Sequence, residues 1–128
     1  MQLTTCRSIL LLLMAAFGLQ AQPPAAPKIT HILATLSVNS GVTREQIATV
    51  MHDEVRDTVQ LYLDGKIEQW YAKGDGKGVV FLMDCKSVEE AKAILETLPL
   101  MKAHYVTFDY MPLGPLTPLR ALIAPAAH

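Results

Sequence analysis

At 128 residues, 51% hydrophobic and 18% charged, the chain is too short for two ordinary domains and too apolar to be disordered. Eleven Lys and Arg stand against twelve Asp and Glu, so no basic excess exists to hold a phosphate backbone, and nucleic acid is not an expected partner. Two cysteines are too few for a disulfide scaffold, and 7 Gly with 8 Pro exclude a fibrous chain.

Residues 1–21 read as a secretory signal. Arg7 is followed by an unbroken apolar run from Ile9 to Phe17. Nine residues rise about 14 Å as a helix, roughly half of a ~30 Å hydrocarbon core. A short positive region, a short apolar region and then small residues form the pattern of an exported chain. Cleavage is expected after Ala21, with Ala16-Phe17-Gly18 as a second site; an uncleaved anchor or a buried strand is the alternative. Loss of residues 1–21 removes Arg7 and leaves ten basic against twelve acidic residues, net −2. Cys6 leaves as well, and it precedes the apolar run where a lipid-bearing cysteine would follow it. Cys85 then has no intramolecular partner and reads as a packing residue at the end of an apolar strand. The mature protein is expected in the periplasm or secreted, with no stable membrane anchor.

Residues 22–28, Gln-Pro-Pro-Ala-Ala-Pro-Lys, form an extended leader that suits neither helix nor sheet. A first strand is expected over Ile29–Val38, ended by Asn39-Ser40-Gly41. Thr43 and Gln46 make a capping box that opens a helix, along which Ile47, Val50, Met51, Val55, Thr58 and Tyr62 recur with helical period. Gly65 stands where a left-handed residue ends a helix. Lys66–Lys73 and Val79–Met83 read as two strands of a hairpin. The glycines between them lack the phosphate-loop spacing, and no helix follows them. Ser87 and Glu90 open a second helix through Val88, Ala91, Ile94, Leu95 and Leu98, stopped by Pro99. A fourth strand is expected from His104 to Met111, followed by an apolar Pro-rich tail, residues 112–128. No fixed-period repeat is present.

The order β-α-β-β-α-β predicts an α+β, ferredoxin-like domain over residues 29–111. Its antiparallel four-stranded sheet has the order 4-1-3-2, with both helices on one face. The other face would draw on Leu33, Trp70, Phe81, Met83 and Tyr105, according to strand phase, and is too apolar to stand in water. A homodimer with the two sheets face to face is the expected solution, the tail lying across the partner as a strap.

Thr97-Leu98-Pro99-Leu100 and the ending Tyr110-Met111-Pro112-Leu113-Gly114-Pro115-Leu116 resemble the muconolactone isomerase-like branch of the dimeric α/β-barrel superfamily. The stretch from Tyr62 to Tyr71 is similar to bacterial members of that branch. The likeness covers residues 29–120. It implies paired ferredoxin-like protomers with a cavity between sheet and helices or between subunits. That architecture hosts isomerases, cofactor-free monooxygenases, haem-handling enzymes and plain ligand binders. No catalytic residue transfers position by position.

Among the residues able to do chemistry, His31, His52, His104 and His128 lack the spacing of a metal site, and neither metal nor cofactor is expected. Antiparallel pairing of the first and last strands brings His31 near Asp109. A carboxylate on one imidazole nitrogen fixes the tautomer and raises the basicity a proton shuttle needs; an ordinary polar pair is the alternative. Glu54 beside Met51 and Val55 is the second candidate base, because a carboxyl held in an apolar cavity has its pKa raised. Its alternative is a helix-surface residue near Arg56, Thr58 or Lys66. Trp70, Tyr71 and Tyr105 are the expected aromatic wall for a small apolar or aromatic-derived ligand.

Two functions follow as expectations. The first is an exported small-molecule binder acting as a cofactor-independent isomerase by proton transfer on an unsaturated or lactone-like compound. The second is a non-catalytic ligand-binding or assembly module. Haem chemistry would require a histidine aimed into a roomy cavity.

Overall fold

In the computed structural model, which describes residues 26–116 and Ile123, β1 (His31–Val38) leads into α1 (Arg44–Leu63), β2 (Ile67–Ala72) and β3 (Val79–Met83). Then come α2 (Val88–Leu95), α3 (Pro99–Lys102) and β4 (Val106–Leu113). The segment read as a signal, residues 22–25 of the leader and residues 117–128 apart from Ile123 lie outside the described residues.

The four strands form one antiparallel sheet in the order β2-β3-β1-β4, the ferredoxin-like arrangement. Alternation along β1 decides the faces. Ile32, Ala34 and Leu36 are buried with Phe81, Met83, Val106 and Phe108 in one core, which α2, α3 and the turn between them complete with Ala91, Leu95, Leu98 and Leu100. Fully burying a side chain the size of Ile32, Met83 or Leu95 stabilises the fold by about 2 kcal/mol each. On the opposite face Leu33 pairs with Leu82 and Met111, and Thr35 pairs with Val80 and Asp109. The face left without helices therefore carries Leu33 as expected, whereas Trp70, Phe81 and Met83 point to the helices.

Helix α1 begins at the Thr43 capping box: the Thr43 hydroxyl accepts from the Gln46 N–H at 3.2 Å, and the Gln46 side chain accepts from the Thr43 N–H at 2.9 Å. It ends at Asp64, and Gly65 follows with φ +73°. The Ser87 hydroxyl accepts from the Glu90 N–H at the start of α2, while the Glu90 carboxylate reaches back to the Lys86 N–H.

Several boundaries differ from the sequence reading: β1 starts at His31 and not Ile29, β2 spans Ile67–Ala72 and not Lys66–Lys73, and α2 ends at Leu95 and not Leu98. Pro99 stops the preceding turn but also opens α3 at its first helical position, where the missing N–H costs nothing. His104 does not open the last strand; it ends α3 in left-handed backbone, φ +57°, and β4 starts at Val106. At its other end β4 continues past Met111 through Pro112 to Leu113. It is an edge strand, and a proline is tolerated where its nitrogen faces away from the ladder. Among the described residues no helix is long and apolar enough to cross a membrane.

Candidate functional site

The core-facing line of α1 is Ile47, Val50, Glu54, Thr58 and Leu61, residues three or four apart on a helix surface. Two of its five members are polar, and they are the most buried: Glu54 is 6% exposed and Thr58 5%. Thr58 Oγ1 donates to the Glu54 carbonyl at 2.7 Å, which satisfies the hydroxyl within the helix. The Glu54 carboxylate accepts through Oε2 from the Leu100 N–H at 2.8 Å. Leu100 is the second residue of α3, whose own N-cap residue, Leu98, supplies no side-chain acceptor. Glu54 thus caps a helix 46 residues away in the chain.

Above this carboxyl, α1 and the sheet border a half-open cavity of about 470 Å³. Its floor is the helix-side face of the sheet, with Leu36, Val38, Ala72, Val79, Phe81 and Val106. Its roof is α1, through Ile47, Met51, Glu54, Val55 and Thr58, and Leu100 closes one end. Trp70 and Tyr71 border it from the edge strand β2. The partly exposed Met51, Val55, Trp70 and Tyr71 mark its mouth. Trp70 is one member of an aromatic row, 6.2 Å from Tyr62 on one side and 6.2 Å from Phe81 on the other.

Burial pushes the Glu54 carboxyl above its ordinary pKa. The Leu100 N–H opposes that rise, and the nearby Asp57 charge reinforces it. A carboxyl with its pKa raised inside an apolar cavity is able to give and take a proton.

The His31–Asp109 pair does not form. His31 pairs with Leu113 and Asp109 with Thr35, so the two lie four residues apart along the sheet, about 13 Å. In this register β4 runs on through Pro112, and Leu113 takes the place opposite His31. Both residues do share the face without helices. Instead, His31 Nε2 lies 3.1 Å from Glu68 Oε2 and Nδ1 lies 3.0 Å from Thr30 Oγ1. Beside them Lys86 Nζ donates to Asp84 at 2.6 Å and to the Thr30 carbonyl at 2.9 Å, which holds the Asp84 carboxyl below its usual range. All these side chains are substantially exposed, and none borders the cavity.

Tyr105 does not line the cavity either. It is half-buried against the core before β4, its N–H donating to the Leu100 carbonyl at 3.0 Å. Cys85 is fully buried and its thiol is pushed up by burial, which suits packing and not nucleophilic attack. No histidine borders the cavity among the described residues, so a haem arrangement lacks its imidazole there. No cluster of three metal-binding side chains occurs among them.

Sequence reasoning reached Glu54 and placed Thr58 near it, but put Thr58 on the line of Met51 and Val55 and missed the Leu100 N–H. The available signals were an acid centred in an apolar helical line and Pro99 as a helix opener. No protein-family model and no curated protein matches the chain.

Proposed function

We propose that this is an exported protein binding a small, largely apolar compound in the cavity between α1 and the sheet, with Glu54 as its proton-transfer group. The observation that carries the reading is the Glu54 carboxyl, buried in an otherwise apolar chamber with its pKa raised. A cavity of about 470 Å³ falls within the size of small-ligand sites.

As a catalyst, the carboxylate takes a proton from the carbon next to an unsaturated carbonyl. The electron pair moves into the conjugated system, and the same carboxyl returns the proton at a further carbon. The net reaction is an isomerisation that needs no cofactor. The likeness of Thr97–Leu100 and Tyr110–Leu116 to muconolactone isomerase-like proteins supports the same type of reaction, isomerisation, and the face-to-face homodimer of that group is part of the same proposal.

Native mass spectrometry of the purified protein, with a thermal-shift panel of small lactones and enones, tests this. The expected result is a bound or stabilising compound whose isomerisation falls about 100-fold or more in Glu54→Gln, since general acid–base catalysis contributes on that scale. Unchanged turnover in that variant removes Glu54 from the mechanism, and absence of any bound compound removes the ligand site.

One observation favours the second reading, an assembly module. Met51, Val55, Val59 and Tyr62 form an exposed apolar line along α1 beside the first line. It meets a further depression of about 450 Å³ bounded by Val59, Tyr62 and Trp70. In that case the protein oligomerises, and filling the cavity with Val79→Leu changes nothing but stability.

A further inference from the structure

Of the two ionisable side chains that border the cavity, Glu54 is an acid, and the Tyr71 phenol donates to Gln69 Oε1 at 2.7 Å. Among the described residues no lysine, arginine or histidine borders it. Glu54 Oε2 is taken by the Leu100 N–H, so Oε1 is the oxygen left for a ligand. Thr58, the other buried polar residue of the lining, has its hydroxyl proton committed to the Glu54 carbonyl.

A ligand carboxylate entering this chamber would lose its hydration without gaining a counter-charge or a free donor array. It would also sit beside a second carboxyl, and two such groups at close range cannot both ionise cheaply. A neutral carbonyl compound meets neither cost. Its ring or chain lies on Trp70 and Phe81, and its oxygen accepts from Glu54 when the carboxyl is protonated.

Resting on the ligand-site reading, we infer that the cavity is a charge filter that accepts uncharged carbonyl compounds, lactones or ketones, and rejects carboxylic acids of the same shape. Unsaturated acids and lactones that carry a carboxylate are thereby excluded as substrates. Selection against the anion comes from the site itself: an unpaired charge and a like charge are built in against it.

The test uses a matched pair, 3-acetylcoumarin and coumarin-3-carboxylate, which share shape and differ in charge at neutral pH. Equilibrium dialysis with the full protein is expected to show the ketone bound at least about ten-fold more tightly than the acid. Met51→Lys, which places an ammonium at the partly exposed mouth, is expected to close most of that gap by strengthening acid binding. Glu54→Gln keeps an acceptor for the Leu100 N–H and is expected to narrow the gap as well. Equal binding of the two probes overturns the charge filter and leaves the ligand site standing. A gap unmoved by both variants also overturns it, because discrimination then has another origin. Binding of neither probe removes the ligand site and this inference with it.

Discussion

Glu54 holds two positions at once. Its Oε2 satisfies the Leu100 N–H at the start of α3, and its carboxyl is the acidic group of the cavity. Removing the acceptor and removing the charge therefore have opposite consequences. Glu54→Leu leaves the Leu100 N–H buried and unpaired and is expected to cost about 1–3 kcal/mol by denaturant titration. Glu54→Gln retains an acceptor and lifts the burden of burying a charge. The folded protein holds the Glu54 proton more tightly than the unfolded chain, because burial raises its pKa. This contribution is most favourable below the ordinary carboxylate range and declines as pH rises from that range through the raised folded value. Thermal melts should place Glu54→Gln above the parent at neutral pH, with the difference closing as pH falls into the ordinary carboxylate range. A gap of constant size across that range would show that the charge is not what burial disfavours. His31 offers a contrast: its ring is held by Glu68 and Thr30, outside the cavity.

The β2–β3 hairpin and β4 set the shape of the site. In the hairpin, the Lys73 N–H donates to the Gly78 carbonyl at 2.9 Å, and Asp75 Oδ1 accepts from the Lys77 N–H at 2.8 Å, closing the turn. Gly78 has φ +133°, and a Cβ there would lie 2.3 Å from the Leu36 carbonyl oxygen. Gly78→Ala combines strained backbone with a collision against β1 at the cavity floor. It is expected to lose about 3 kcal/mol of stability in chemical denaturation, enough to distinguish it from a surface change near zero. The Gly/Asp composition announced a turn in the sequence, but the approach of Leu36 comes from β1, 42 residues earlier. Strand β4 shows the same limit. Pro112 reads locally as a strand end, and only its place at the sheet edge lets the pairing run on to Leu113. In that register His31 stands opposite Leu113 and Asp109 opposite Thr35.

At the scale of the molecule, the sheet face without helices presents Leu82, Leu33 and Met111 in one cross-strand row. The next row is Tyr71, Val80, Thr35 and Asp109. Met111 and Tyr71 are each 58% exposed. Such a face is suited to the proposed homodimer, with one sheet against its copy. Leu82→Lys at its centre should shift native mass spectra and light scattering from dimer to monomer at micromolar concentration while leaving the α1 cavity intact. A parent protein that is monomeric, or a variant that stays dimeric, would place the interface elsewhere, with the exposed line of α1 next in order.

Local chemistry in the sequence determined the elements themselves: the Thr43 and Ser87 helix starts, the Gly65 stop, the hairpin glycines and the alternation of β1 each depend on neighbours a few residues away. Their order, with right-handed crossovers, was enough to specify the sheet order β2-β3-β1-β4. Tertiary structure alone decided the site. Glu54 became a buried carboxyl because α1 turns the line of Ile47, Val50, Glu54, Thr58 and Leu61 inward and leaves Met51, Val55 and Val59 at the surface. That rotation follows from packing against α3 and β2, and from the Leu100 N–H that rewards the carboxylate's position. Both lines are apolar enough to face a core, so helical period could not choose between them; contact with the rest of the chain could.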